Sequence, residues 1–210
     1  INNLDLGLTA ENGGGEYNAN PYYLNDVKAT GKAAEGSKIE YKVGDGEWSE
    51  EAPSRTDAGT LEGISVRVSK AGYETKVIEN LKIEVTPKPV TVTATDSGKL
   101  YGQADPEFKA TVNGTLNNDK ISYTVSRPGE GTDEEVNTYE DAIVAAGEAR
   151  QGNYSVSYEP ADFTISINNL DLGLTAENGG GEYNANPYYL KNVAATGGAA
   201  EGSRIEYKVG

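Results

Sequence analysis

Tyr22, Tyr23 and Trp48 are the side chains of this sequence best suited to contact a ligand, because an aromatic ring beside acidic groups can stack while its polar edge hydrogen-bonds. They are the candidate contacts for a host or polysaccharide glycan or for a protein. The plainer expectation is that Trp48 is a core tryptophan and that Tyr17 packs at the end of a β-sandwich. A buried lysine beside an amide or acid and a second carboxylate could close an intramolecular isopeptide bond. The first apolar segment, Leu4-Asp5-Leu6-Gly7-Leu8, carries no lysine to act as donor. Calcium would need hard oxygen ligands, and Asp45 with Glu47, or Asp133-Glu134-Glu135, could supply them, but neither run has the spacing of a calcium loop. Both are expected to be solvated turns.

Histidine and cysteine are absent from all 210 residues. That removes the usual neutral-pH acid or base, the Ser/His and Cys/His nucleophile pairs, imidazole and thiolate metal ligands, and disulfides. Two carboxylates could cleave a glycoside, yet no spacing selects such a pair. The sequence therefore assigns no catalytic, cofactor or metal residue, and the chain is expected not to be an enzyme.

The elements that would position any site repeat. Residues 1–44 return as residues 167–210, identical at 39 of 44 positions, which marks a tandem array. The differences (Asn25/Lys191, Asp26/Asn192, Lys28/Ala194, Lys32/Gly198, Lys38/Arg204) touch only polar positions and read as solvent-facing drift around an unchanged core. The chain, lacking methionine, is expected to be a window on a longer array. Residues 1–85 and 88–166 also share an order of landmarks. Tyr17-Asn18-Ala19-Asn20-Pro21 answers Tyr101-Gly102-Gln103-Ala104-Asp105-Pro106, and Lys38-Ile39-Glu40-Tyr41 answers Lys120-Ile121-Ser122-Tyr123. The expected organisation is one β-sandwich domain over 1–86, a related one over 87–166, and the first half of a second copy of the first over 167–210.

Apolar residues fall at period two: Leu4-Leu6-Leu8, Ile39-Tyr41-Val43, Ile64-Val66-Val68, Leu81-Ile83-Val85, Val90-Val92-Ala94, Ile121-Tyr123-Val125, Tyr154-Val156-Tyr158 and Phe163-Ile165-Ile167. Turn residues separate them, among them Asn12 with Gly13-Gly14-Gly15, Asp96-Ser97-Gly98 and Arg127-Pro128-Gly129. The one helical-looking stretch, 142–149, is broken by Gly147 and should form no more than a turn. The fold class is all-β: tandem small Ig-like sandwiches arranged end to end as a rod. The joins, Val85-Thr86-Pro87-Lys88-Pro89-Val90 and Ile165-Ser166-Ile167-Asn168-Asn169-Leu170, are short, and proline stiffens the first.

A net charge of −15 disfavours nucleic acid and anionic membrane surfaces as partners, and no stretch is apolar enough to insert in a bilayer. Neighbouring repeats of the same array are the expected partners. With 14 Tyr against 2 Phe, the cores should be thin and many hydroxyls should reach water. The incomplete copy is expected to be partly disordered or completed by another molecule, with an open, adhesive edge.

The phrases TPKPVTVTATDSGKLYGQADPEF, GTLNNDKISYTVSR, VNTY and GNYSVSYEPADFTIS resemble the MBG domain, a mostly-β, glycine-rich module. EYNANPYYL, IEYKVGDGEWSEEAP and DAGTLEGISVRVSKAGYETK are similar to the Ig-like β repeats that flank such modules. The resemblance implies a secreted or wall-attached location on a Gram-positive cell, and a structural stalk or an adhesin. It transfers no catalytic residue.

Overall fold

The computed structural model describes residues 5–168 and 172–209. Among them no residue is helical. The first strands are β1 (Gly7–Glu11), β2 (Gly13–Glu16), β3 (Asn25–Thr30), β4 (Lys38–Val43), β5 (Gly59–Ser69) and β6 (Lys76–Thr86). Then come β7 (Lys88–Ala94), β8 (Ser97–Leu100), β9 (Ala110–Asn113), β10 (Thr124–Ser126), β11 (Asn137–Ala146), β12 (Arg150–Gln151), β13 (Tyr154–Glu159) and β14 (Ala161–Ser166). The repeated segment contributes β15 (Gly173–Glu177) and β16 (Lys191–Thr196).

Two compact units result. The first comprises Ile1–Thr95, Lys109–Ser126 and Val144–Pro160. In it β2-β6-β5-β4 form one sheet, β1 and β3 pair beside it, and β12-β13-β7-β9 form another sheet. The long strands β5 and β6 carry the core: Ile64, Val66 and Ile83 are fully buried and Leu81 nearly so. Leu8, Ala10, Tyr22, Leu24, Val27, Ile39 and Tyr41 pack on that cluster. Each fully buried aliphatic side chain contributes about 1.5–3 kcal/mol, so β5 and β6 provide the apolar floor on which the first 43 residues fold.

The second unit comprises Asp96–Phe108, Arg127–Ile143 and Ala161–Gly210. Here β14 pairs antiparallel with β11 and parallel with β8, and Ile143, Phe163 and Ile165 are buried. The ladder between β11 and β14 shifts register between Tyr139 and Ile143, where Asp141 takes φ 53°. In the same unit β15 and β16 pair antiparallel with the register of β1 and β3, irregularity included.

The order β2-β6-β5-β4 recurs as β8-β14-β11-β10. In both, a short glycine-bearing strand runs parallel to the last strand. This departs from expectation: Asn12–Gly15 and Asp96–Gly98 read as turns, yet Gly13–Glu16 and Ser97–Leu100 are strands. The glycines serve close approach, since a Cβ on Gly14 would lie 1.9 Å from the Glu84 carbonyl oxygen and one on Gly98 would lie 2.4 Å from that of Thr164. The stretch at 142–149 also differs. Ala142–Ala146 belongs to β11, with Ile143 and Ala145 buried on one face, rather than wound into a helical turn. Of Ile121-Tyr123-Val125, only Thr124–Ser126 pairs as strand, although Ile121 is buried. Leu4 and residues 169–171 lie outside the described residues. β14 ends at Ser166, so the strand expected to run on through the second join stops there. All five differing positions of the repeat are exposed in both copies, as drift on a wet face requires.

Candidate functional site

Within the first unit, a single residue, Pro87, separates β6 from β7. Five polar ties hold this join. The Tyr17 amide donates to the Thr86 carbonyl at 2.9 Å, and the Lys88 amide donates to the Asn153 carbonyl at 2.9 Å. Lys88 Nζ reaches Glu16 Oε1 at 2.9 Å. The Asn153 side chain accepts from the Ala58 amide at 2.8 Å and donates to Asp57 Oδ1 at 3.0 Å. Beside these, Tyr17 and Tyr154, both buried, meet edge to face with ring centroids 5.7 Å apart. Tyr154 Oη donates to Asp119 Oδ2 at 2.5 Å and accepts from the Leu116 amide at 3.0 Å. Burial pushes the Tyr154 phenol up, and the Asp119 carboxylate adds to the shift. A chain whose φ is fixed at Pro87 and whose flanks are tied at both ends cannot act as a loose tether.

Within the second unit, four ionised side chains form a compact group. Arg127 is completely buried, and Lys99 and Asp105 nearly so. Arg127 Nε donates to Asp105 Oδ2 at 2.6 Å and Nη2 to Asp105 Oδ1 at 3.0 Å. Nη2 also donates to Glu134, and Nη1 to the carbonyls of Gly129 and Asp133. Its five N–H donors thus meet five acceptor contacts, the condition under which a guanidinium can be buried. Lys99 Nζ lies 2.8 Å from Asp105 Oδ1 and also contacts Glu134. Two cations balance two anions. The Arg127 guanidinium carbon sits 4.5 Å from the centre of the Phe163 ring, which Phe108 meets edge to face.

Lys99 holds the Glu134 carboxyl down to about 2, helped by the Gly131 amide and Arg127. Burial alone would raise Asp105, but hydrogen bonds from Arg127 and Lys99 outweigh it and keep it below the usual carboxylate range. Asp105 and Glu134 in turn raise Lys99. A lysine, an aspartate and a second carboxylate are the groups an isopeptide bond would need. That condensation also needs a neutral amine and a protonated acid, the two states this cluster disfavours. The arrangement is an ion network that fastens the 127–134 loop to β8.

The sequence-selected aromatics lie apart in their contacts. The Tyr22 backbone exchanges both hydrogen bonds with Arg55, and its hydroxyl donates to the Glu16 carbonyl and accepts from Asn18. Tyr23 is half exposed. Trp48 is not a core residue: it is partly exposed, with Arg67 4.4 Å and Lys42 5.4 Å from its ring centre. Sequence reasoning read Arg127 as a turn residue and Glu134 as part of a solvated turn, and passed over Lys99; the structure instead pairs Glu134 with Lys99 and Arg127. The spacing of Lys99 and Asp105 around Tyr101-Gly102 was the available signal.

No curated protein and no solved structure matches the chain. Residues 90–164 match the family model of the MBG domain, YGX type, a surface-protein-associated and generally non-catalytic family.

Proposed function

We propose that the chain is a non-enzymatic stalk of a secreted or wall-attached bacterial surface protein, in which small Ig-like and MBG-type sandwiches over 1–86 and 87–166 follow end to end. The observation that carries this reading is the join at Pro87. One residue separates two strands, and the Asn153 side chain, Lys88–Glu16 and Tyr17–Tyr154 brace it. A spacer needs stiffness at its joints more than it needs a pocket. The −15 net charge adds mutual repulsion, which keeps neighbouring stalks apart and soluble.

Solution scattering tests this. An elongated particle whose profile is unchanged between low and moderate salt is expected, with Asn153→Ala making the profile more variable. A compact particle would sink the stalk. The alternative, an adhesin binding a glycan or protein through Tyr22, Tyr23 and Trp48, draws support from the half-exposed Tyr23 ring. It predicts that a glycan array gives a signal that Tyr23→Ala removes.

A further inference from the structure

An Asn-Gly bond can change without an enzyme. Glycine has no side chain to shield its amide, so that nitrogen can reach the carboxamide carbon of the asparagine before it. The dipeptide occurs at 12–13, 113–114 and, in the repeated segment, 178–179. The first two can be compared directly, because each lies beside a paired strand: Gly13 opposite Ile83 of β6, and Asn113 opposite Thr91 of β7.

Exposure does not separate them, since Asn12 and Asn113 are both exposed. Hydrogen bonding does. Asn12 Oδ1 accepts from the Lys82 amide at 2.9 Å, and the Asn12 carbonyl accepts from Asn25 Nδ2 at 2.9 Å, so both its side chain and its link to Gly13 are anchored. Gly13 is itself held in β2. Asn113 is the last residue of β9, and among the described residues nothing hydrogen-bonds its side chain. Gly114 then leaves the sheet in a bend at φ 105°. A Cβ added there would lie 2.8 Å from the Pro89 carbonyl oxygen, so a residue that shields its own amide does not fit.

We infer that Asn113–Gly114 is a self-modifying site that converts to a mixture of aspartate and isoaspartate, while the fold protects Asn12–Gly13. Gly114 N bonds to Asn113 Cγ, the Cγ–Nδ2 bond breaks, and Nδ2 departs as ammonia with the proton that Gly114 N gives up. Water then opens the cyclic imide. Opening at Cγ yields aspartate, whereas opening at the backbone carbonyl yields isoaspartate, whose main chain runs through the side-chain carbon and is longer by a methylene. That methylene lies opposite Thr91, so the end of the β7–β9 ladder parts.

The test ages the full chain in mildly alkaline buffer and maps it with trypsin, which places Asn12 in residues 1–28 and Asn113 in residues 110–120. Residues 110–120 should gain the mass of water less ammonia, located at Asn113 by fragmentation, about 5-fold or more faster than residues 1–28, the factor for one hydrogen bond that must first break. In urea the two rates should converge. Asn113→Gln, whose longer side chain closes the ring slowly, should leave position 113 intact. In the isoaspartate fraction, amide exchange across residues 91–94 should rise about 5-fold for each ladder bond lost, whereas Asn113→Asp, which supplies the charge without the methylene, should not change it. Equal rates for the two peptides in the folded chain overturn the inference. So does a gain at Asn117 or Asn118 in place of Asn113, or a folded chain whose Asn113 stays intact while urea converts it.

Discussion

The Tyr17 and Tyr154 rings stand at 87° to one another, 5.7 Å between centroids, and join a residue just after β2 to the first residue of β13. Removing a buried aromatic costs about 3–5 kcal/mol, so Tyr154→Ala should lower the urea midpoint steeply. Tyr154→Phe keeps the ring and leaves only Asp119 and the Leu116 amide without their partner, about 1–3 kcal/mol. Equilibrium unfolding of the two variants separates packing from hydrogen bonding.

The parallel glycine strand makes its own demand. At Gly14, φ is 130° and an added Cβ would strike the Glu84 carbonyl. Gly36 also has positive φ, 70°, but nothing within 4 Å of the added carbon. Gly36→Ala should therefore cost about 1–2 kcal/mol from backbone strain alone. Gly14→Ala should cost more, and thermal unfolding of both variants gives the difference.

Arg127→Met leaves two carboxylates, Asp105 and Glu134, to the single cation Lys99. A loss of about 3–5 kcal/mol is expected, because breaking a buried ion network by removing one partner leaves charge at nearly buried Asp105 that Lys99 alone does not balance. Urea denaturation at neutral pH measures it.

The same cluster sets an acid response. Glu134 is held at about 2 in the folded chain against an ordinary carboxyl value of about 4.3. A depressed carboxyl stabilises the fold above its unfolded pKa and loses that contribution as pH falls through the folded value. Asp105 shifts in the same direction. Stability should decline between about pH 4.5 and pH 2. Glu134→Gln should flatten that decline while lowering stability at neutral pH. Denaturation midpoints at stepped pH check both.

Trp48 is the chain's single tryptophan, so its fluorescence reports on one place. Arg67→Ala removes the nearer cation from its ring, a contact of about 0.5–1 kcal/mol. Emission should shift to the red and acrylamide quenching should rise.

Period-two alternation made β4, β5, β6, β7, β13 and β14 legible, because their apolar residues recur on one face, although the polar face of β4 and β5 also covers Glu40 and Ser65. The exposed drift positions were legible for the same reason. The glycine strands were not: glycine has no side chain to alternate, and its value here lies in the distance between two backbones some 70 residues apart. Arg127 and Glu134 were hidden differently. Charge predicts exposure until opposite charges converge, and convergence across Lys99, Asp105, Arg127 and Glu134 depends on tertiary pairing that local pattern does not carry. Trp48 was misjudged because hydrophobicity favours the interior, whereas flanking Lys42 and Arg67 offered it a site on the surface.

The parallel pairings β2–β6 and β8–β14 also govern when each piece can acquire its form. Both bring an early strand to a late one, so the ladder cannot close until its final strand is available. A polypeptide emerging from a narrow exit would stay pliant through most of each module and set only as β6, and then β14, came free.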